Sequence, residues 1–345
     1  MIQFELTRRT LHFRKPARTS RGAYTEHEMI VLTLHDGGHT GVGECAPLPD
    51  LSCDRGAYSD LDAVRLLVGK ALADEDMTLL RPYPALLFAV ESALAGLRRS
   101  PLLYDTPFAR GEVGIPINGL VWMAGYDEML AQMESKINDG YRCVKLKIGA
   151  IAWEDEMRLI RLLRSRFSAD ELELRVDANG AFSPEDAISR LEELSKYGIH
   201  SIEQPLRQGQ WDAMAELCRN SPVPIALDEE LIGVNDPERK CQLLDSVRPQ
   251  YIVLKPTLHG GMSGTGEWVD LSRKRGVKSW ITSALESNIG LANVALLAAS
   301  IYGITPCTLA GTMPQGLGTG LLFTDNIDTG VYIRNGHIWF SGRME

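Results

Sequence analysis

Hydrophobic and polar residues alternate along the first 50 positions, which is the pattern of β-strands with one buried face. The alternation covers IQFELTRRTLHF and EMIVLTLHDGGHTGVGECAP, and the second stretch contains the turn-forming sequence DGG. From about Ser59 to Arg99 the apolar residues instead recur three and four positions apart, as on the buried side of a helix, and Pro82 and Pro84 divide this region. A sheet followed by helices predicts an α+β domain.

A second rhythm begins near residue 115, where short β-rich runs alternate with longer helical patterns. Eight such runs occur: IPINGLV, CVKLKIG, LELRVDAN, SIEQPL, PIALDEE, YIVLKPT, KSWITSAL and CTLAGT. Polar landmark residues within them recur every 25 to 30 positions, the length of a strand, a helix and two loops: Lys147, Asp177, Glu203, Asp228, Lys255 and Thr282. Eight such strands in about 200 residues predict an α/β fold with a closed barrel.

An open, doubly wound sheet is the main alternative to the barrel. It is disfavoured because no G-x-G-x-x-G sequence follows the first strand, and the glycines of GGMSGTG come too late to form that nucleotide-binding turn. The final stretch, LLFTDNIDTGVYIRNGHIWFSG, alternates again and contains the turn-former NG. We therefore expect it to return to the N-terminal domain as added strands.

The composition of the 345 residues is typical of a globular protein, with 44% hydrophobic residues and a formal net charge of -9. The negative charge and the lack of a dense Lys/Arg run argue against nucleic acid as a partner. The N-terminal residues lack an apolar core of secretory length, and no segment offers about 18 uninterrupted apolar residues. We expect a cytoplasmic protein without a membrane partner, acting as a monomer or as an oligomer.

Ionisable residues stand towards the C-terminal sides of five consecutive barrel strands. Positions two apart in a strand share a face, so the two lysines of KLK point the same way. Because active sites of (β/α) barrels are built at this end, charges that are distant in sequence are expected to converge there. The polar residues at these strand ends are Lys145, Lys147, Asp177, Asn179, Glu203, Asp228, Glu229, Glu230 and Lys255.

Three carboxylates from consecutive strands, Asp177, Glu203 and Asp228, would repel one another without a cation between them. Ligands that are all oxygen select a hard ion such as Mg²⁺, whereas zinc would need histidine or cysteine. The alternative is that each acid only caps the helix after its strand. The common register of all three, with lysines on both sides, favours the metal site.

Lys147 lies one strand before the acids and Lys255 one strand after them, so the two are expected on opposite sides of the metal. A lysine close to Mg²⁺ and to a second ammonium, here Lys145, is expected to lose its proton more readily and to act as a general base. Such a set suits abstraction of a proton α to a carboxylate, with Mg²⁺ stabilising the enolate. Solvated lysines at strand ends are the alternative.

The motifs VKLKIG, RVDANGAF, IEQPL, ALDEE and VLKPT occur in this order behind RTSRGAY and GVGECAPLP. Over nearly the whole chain this order resembles the enolase superfamily, and within it the muconate lactonizing enzyme subgroup. Members of this superfamily use a Lys or His base beside Mg²⁺. The resemblance implies an α+β capping domain (1–110), a (β/α)7β barrel (111–320) and a C-terminal segment that returns to the capping domain (321–345).

The same resemblance implies roles for individual residues. Asp177, Glu203 and Asp228 match the Mg²⁺ ligands of the subgroup, Lys147 matches its acid/base lysine, and Lys255 matches the lysine across the ring. Within the subgroup, SALESNIGLANVALLAA looks like the SSLESxxGL segment of o-succinylbenzoate synthases, although SALES replaces SSLES. Residues that match this group as substrate contacts are Lys145, Arg175, Asn179, Gly260, Gly261 and Glu286.

Dipeptide epimerases of the subgroup carry Asp-x-Asp at the eighth strand, whereas this chain reads TLAGTMPQGLG there, without an acid. The resemblance therefore implies a hydro-lyase of menaquinone synthesis that converts a small carboxylate, 2-succinyl-6-hydroxy-2,4-cyclohexadiene-1-carboxylate, to 2-succinylbenzoate. An N-succinyl amino acid racemase, or another racemase, epimerase or cycloisomerase of the subgroup, is the alternative on the same parts. A metal-binding barrel without catalysis is the alternative from another class.

Overall fold

The N-terminal region forms a three-stranded antiparallel sheet. The structure is a computed structural model and describes residues 2–19 and 22–342. Three strands pair in chain order: β1 (Gln3–Thr19), β2 (Gly22–Asp36) and β3 (His39–Cys45). Gly37 and Gly38, both at positive φ, form the turn between β2 and β3. The strands and the turn predicted for this region are confirmed.

Helices cover one face of this sheet. They are α1 (Leu61–Ala73), a 3-10 turn (Met77–Leu80), α2 (Pro84–Leu97) and the short α3 (Pro101–Tyr104). Asp60 caps α1 by accepting hydrogen bonds from two backbone N–H groups, and Pro84 occupies the first position of α2. Helix α2 lies so close to β3 that a Cβ atom on Gly43 would be 1.9 Å from the carbonyl oxygen of Ala89.

The remainder of the chain is organised around a parallel sheet of seven strands. A short strand, β4 (Ile115–Pro116), precedes it, and the strands of the sheet then follow in chain order: β5 (Gly119–Val121), β6 (Cys143–Lys147), β7 (Glu173–Asp177), β8 (Ser201–Glu203), β9 (Ile225–Leu227), β10 (Tyr251–Leu254) and β11 (Lys278–Ile281). Seven of the eight predicted strands are therefore confirmed.

One helix follows each of these seven strands and packs against the sheet. The helices are α4 (Tyr126–Asn138), α5 (Trp153–Arg166), α6 (Pro184–Ser195), α7 (Trp211–Asn220), α8 (Pro237–Val247), α9 (Gly261–Arg273) and α10 (Asn288–Ile301). Within the described ranges, no helix combines the length and the apolar character that crossing a membrane requires.

The eighth strand predicted at CTLAGT is wrong. Residues Leu309–Gly311 form a 3-10 turn, because the hydroxyl groups of Thr305 and Thr308 bond to backbone groups at this point and compete with strand pairing. The sheet is instead joined a few residues later. Gln315 N–H donates to the carbonyl oxygen of Pro116 (2.8 Å) in β4, just before the first strand of the sheet, and Gly316 N–H donates to that of Ile281 (2.8 Å) in the last strand, β11.

The C-terminal hairpin is also placed differently from the prediction. Strands β12 (Val331–Arg334) and β13 (His337–Phe340) are joined by Asn335 and Gly336, as the sequence NG predicted, but β13 pairs with β4 and not with the N-terminal sheet. The stacked rings of Phe108 and Phe340 favour this position. The contact with the N-terminal sheet comes from the preceding segment, where Thr324 N–H donates to the carbonyl oxygen of His12.

Candidate active site

A cavity of about 330 Å³ lies at the C-terminal ends of the parallel strands, next to loops of the N-terminal domain. Its floor is charged and polar, with Lys145, Lys147, Asn179, Glu229 and Lys255. Its walls are largely apolar and include Tyr24, Leu48, Leu51, Leu285, Leu321 and Leu322. Charged groups beneath apolar walls suit a carboxylate carried on an apolar body.

The two lysines of β6 converge on one carboxylate of the next strand. The register pairs Lys147 with Asp177, and Asp177 with Glu203, so these three residues lie at the same level of the sheet. Lys147 Nζ is 2.8 Å from Asp177 Oδ2 and donates to Asn179 Oδ1 (2.7 Å). Lys145 Nζ lies 2.9 Å from both carboxylate oxygens of Glu203 and 3.1 Å from Asp177 Oδ2. Shared carboxylates therefore offset the repulsion between the two ammonium groups.

Lys255 reaches the same floor from β10, three strands after Asp177. Its ammonium group forms an ion pair with Asp228 Oδ2, while its backbone N–H donates to His259 Nδ1 (2.9 Å). Glu229 faces the cavity and accepts a hydrogen bond from Asn179 Nδ2 (2.8 Å), which links the two sides of the floor. Glu230 turns away and accepts from the indole N–H of Trp211 (2.6 Å).

Burial and mutual repulsion of the carboxylates act against the attraction of the lysines. Burial, reinforced by the charge of Asp177, raises the pKa of Glu203 to about 8. Burial also opposes ionisation of Asp177, but Lys147 and Lys145 outweigh it and lower its pKa. Burial would lower the pKa of Lys145, yet Glu203 and Asp177 raise it. A carboxylate whose pKa is raised in this way is one that an additional cation would stabilise.

The three predicted metal ligands, Asp177, Glu203 and Asp228, are all fully or almost fully buried. Across residues 2–19 and 22–342, no three His, Cys, Asp or Glu side chains converge as a ready metal site, and ammonium groups lie against these carboxylates. The donor chemistry nevertheless fits a hard cation: the set is all oxygen, and Asp228 Oδ1 is buried without a hydrogen-bond partner.

Arg175 does not reach the cavity, contrary to its predicted role as a substrate contact. It pairs in register with Lys145, which does line the cavity, so its own contacts and not its depth in the sheet keep Arg175 away from the cavity. Its Nε donates to Glu173 Oε1 (2.7 Å), Nη1 donates to the carbonyl oxygen of Pro314 (3.0 Å), and the guanidinium stacks over Trp280. These contacts place Arg175 in the interior of the sheet.

Gly260 and Gly261 are likewise outside the cavity lining. Both have positive φ, and a Cβ on Gly261 would lie 2.5 Å from Glu91 Oε2 and 2.8 Å from Leu87 Cγ. The small size of Gly261 therefore serves the packing of α9 against α2, which explains this glycine without a substrate.

Glu286 is fully buried and does not line the cavity. Its Oε2 accepts a hydrogen bond from Ala284 N–H (2.6 Å), and its Oε1 accepts from the hydroxyl of Thr257 (2.8 Å). Both carboxylate oxygens are therefore engaged within the protein. Glu286 shapes the turn between β11 and α10, which does face the cavity.

Most residues that form the walls of the cavity were not predicted from the sequence. Tyr24 and Leu48 lie in irregular or terminal parts of the N-terminal domain, and Leu322 lies in the segment after the sheet, so none belongs to a periodic pattern that reveals its face. The segment GECAPLPDL contains apolar residues that follow a strand and belong to no helix, and this feature could have identified Leu48 and Leu51 as wall residues. Ser20 and Arg21 of RTSRGAY lie outside the described residues.

The site combines lysines and buried carboxylates at the C-terminal edge of a parallel sheet, beside an antiparallel domain. The similarity of the chain to known proteins identifies the class of protein to which this arrangement belongs. Residues 128–343 match the family described as enolase C-terminal domain-like, so the chain belongs to this family of the enolase superfamily, in the muconate lactonizing enzyme-like subgroup. The resemblance inferred from the sequence motifs is confirmed.

Two relatives by sequence and one solved structure indicate where in this family the chain stands. It is 42% identical to the o-succinylbenzoate synthase of Desulfotalea psychrophila, over 97% of this chain and 98% of that one. The crystal structure of MenC from Desulfotalea psychrophila LSv54 superposes with a TM-score of 0.79 at 39% identity, covering 98% of this chain and 99% of that one. An N-succinylamino acid racemase from an Amycolatopsis species is 30% identical over 85% of this chain and 81% of its own.

Proposed function

We propose that this protein is an o-succinylbenzoate synthase, which removes water from 2-succinyl-6-hydroxy-2,4-cyclohexadiene-1-carboxylate to give 2-succinylbenzoate. The observation that carries the proposal is the placement of Lys147 and Lys255 on the cavity floor, each paired with a buried carboxylate, in a chain 42% identical to a synthase of that name. The apolar walls suit the ring, and the cationic floor suits its carboxylate.

In the proposed reaction Lys147, as a neutral amine, removes the proton from the ring carbon that bears the carboxylate. The C–O bond on the neighbouring carbon then breaks, and the hydroxyl group takes the proton from the Lys147 ammonium and leaves as water. The ring becomes aromatic and Lys147 returns to its neutral form, so atoms and charge balance. Lys255 remains cationic and steadies negative charge that develops on the ring.

Asp177, Glu203 and Asp228 would hold a divalent cation in the enzyme at work, and their all-oxygen donor set favours Mg²⁺. Such an ion would supply positive charge to the carboxylate of the substrate. Asn179 links the two sides of the floor by accepting from Lys147 and donating to Glu229, and so helps to orient the lysine towards the substrate.

The architecture proposed for this function has three parts. A capping domain (1–110) covers a (β/α)7β barrel (residues 111–320), and a C-terminal segment (321–345) follows the barrel in the chain. The bonds of Gln315 to β4, which immediately precedes the first strand of the sheet, and of Gly316 to the last strand, β11, support closure of the barrel. An apolar cluster shared by the N-terminal domain and the strand ends supports the cap; it includes Leu11, Met29, Leu48, Leu258, Leu285 and Phe323.

A direct assay of the dehydration, with added Mg²⁺ or with EDTA, tests the proposal. We expect turnover with Mg²⁺, its loss in EDTA, and its return when excess Mg²⁺ is added back. Absence of dehydration in the presence of Mg²⁺ would refute the assignment.

Racemisation of N-succinyl amino acids is a second candidate, because two lysines on opposite sides of one floor can serve as two bases, and a racemase is 30% identical. Incubation of N-succinyl amino acids in D₂O separates the two functions. Rapid exchange of the α-proton from both enantiomers, together with weak dehydration, would favour the racemase.

A further inference from the structure

The carboxylate of Glu44 extends from the N-terminal domain to the first turn of α10. Glu44 lies near the end of β3 and is fully buried. Its Oε1 accepts from Ser287 N–H (2.8 Å), and its Oε2 accepts from Gly290 N–H (2.8 Å) and from the Ser287 hydroxyl. A Cβ on Gly290 would lie 3.1 Å from Glu44 Oε2 and 2.6 Å from Glu286 Cβ, so glycine leaves room for this approach. A carboxylate at a helix N-terminus satisfies N–H groups that have no partner within the helix.

The turn that this carboxylate holds is a wall of the cavity. Residues 282–285 all line it, and Leu285 has a φ of +69°, a left-handed conformation that is unfavourable for a residue with a side chain. Such a conformation persists only when its surroundings hold it. Here Glu286 fixes the turn internally through Ala284 N–H, and Glu44 fixes its far end through Ser287.

Glu44 also immediately precedes the segment that forms the opposite wall of the cavity. The chain runs from Glu44 through Cys45 to Leu48 and Leu51, which line the cavity from the N-terminal domain. One buried side chain therefore ties together two walls that belong to different parts of the fold, although it does not itself touch the cavity.

We propose that Glu44 is a positioning residue: through Ser287 and Gly290 it sets the distance between residues 282–285 and the loop that carries Leu48, and thereby the affinity for the carboxylate substrate. The identity of that substrate rests on the proposed function.

Replacement of Glu44 by glutamine tests this role, because the side chain keeps its size while an amide NH₂ faces an N–H group that needs an acceptor. Glu91→Gln is the matched control. Glu91 is a partly buried carboxylate of the N-terminal domain, and it accepts from the N–H groups of Met262 (2.6 Å) and Ser263 (3.2 Å) in the first turn of α9. Neither of those two residues lines the cavity.

For Glu44→Gln we expect KM to rise about tenfold while kcat falls less than threefold. Hydrogen exchange of the Ser287 and Gly290 amides should accelerate at least tenfold. Glu91→Gln should lower the thermal midpoint comparably but leave KM and kcat within twofold. Equal kinetic effects of both variants, or an unchanged KM in Glu44→Gln, would overturn the proposal and leave Glu44 a purely structural contact.

If Glu44→Gln fails to fold, Ser287→Ala provides a second variant, because it keeps the carboxylate and removes one of its three hydrogen bonds, together with the bond by which Ser287 Oγ caps Ile289 N–H. It should raise KM by a smaller factor, again with little change in kcat; an unchanged KM would contradict the proposal. The exchange measurement needs no substrate, so an inactive wild-type enzyme would refute the proposed function alone. Unaltered exchange at Ser287 and Gly290 in the variants would refute the positioning role.

Discussion

Asp177 is the residue on which both lysines of β6 converge, since its Oδ2 atom lies within 3.1 Å of Lys145 and 2.8 Å of Lys147. The two lysines differ in their second partner: Lys145 is bound by both oxygens of Glu203, whereas Lys147 contacts only the amide oxygen of Asn179. Lys147 is thus the less firmly held cation of the two, as suits its proposed role as the base.

Lys147→Ala should reduce dehydration at least about 10³-fold, because Lys145, the other β6 lysine on the cavity floor, is held by both oxygens of Glu203 and by Asp177 and so does not replace the proposed base. Folding and Mg²⁺ affinity should persist, since Lys145 still neutralises Asp177. Steady-state kinetics, a thermal melt and Mg²⁺ titration check this, with the exposed Lys274→Ala as control. Unchanged turnover in Lys147→Ala would show that Lys147 is not the base, and absence of turnover in the wild type as well would favour a metal-binding barrel without catalysis.

At the scale of elements, the contact of α2 with β3 depends on glycine. Gly43→Ala would place a Cβ 1.9 Å from the carbonyl oxygen of Ala89, and we expect a loss of about 1–3 kcal/mol in the free energy of unfolding. Gly69→Ala in α1 is the control, because its Cβ would meet the ring of Phe4 at an ordinary 3.7 Å. This helical substitution should stabilise the protein by about 0.5–1 kcal/mol. Denaturant unfolding distinguishes the two, and equal effects would contradict the packing argument.

The elements themselves were largely predictable, because periodicity reports which face of a strand or helix is buried. The direction that a side chain takes is different: Arg175 pairs in register with Lys145, yet only contacts with residues distant in sequence, such as Pro314, show that Arg175 does not line the cavity. Gly261 presents a related difficulty, since a glycine needed for helix packing looks in sequence like one needed for a ligand.

At the scale of the whole molecule, a buried histidine makes stability depend on pH. Burial lowers the pKa of His27 from 6.5 to about 4, against a hydrogen bond to the Ala46 backbone. The unfolded chain therefore binds a proton below pH 6.5 that the folded chain accepts only near pH 4. The stability contribution of His27 is present above pH 6.5 and is lost as the pH falls, by up to about 3 kcal/mol.

His27→Gln should remove this part of the pH dependence, because glutamine does not titrate. Urea unfolding at several pH values between 4 and 7 measures it, with the exposed His39→Gln as control. If the variant and the wild type lose stability equally over this range, the assignment to His27 is wrong.

The segment of Gln315 and Gly316, which links β4 to the last strand of the parallel sheet, also bears on the order in which the site forms during synthesis. The charged floor comes from residues up to Lys255, whereas this linking segment, with the neighbouring Leu321 and Leu322, comes from residues after Pro314. On a ribosome the lysines and carboxylates leave the exit tunnel well before the wall that shields them from water. The reactive residues of the nascent chain thus spend an interval without the enclosure in which they are proposed to work.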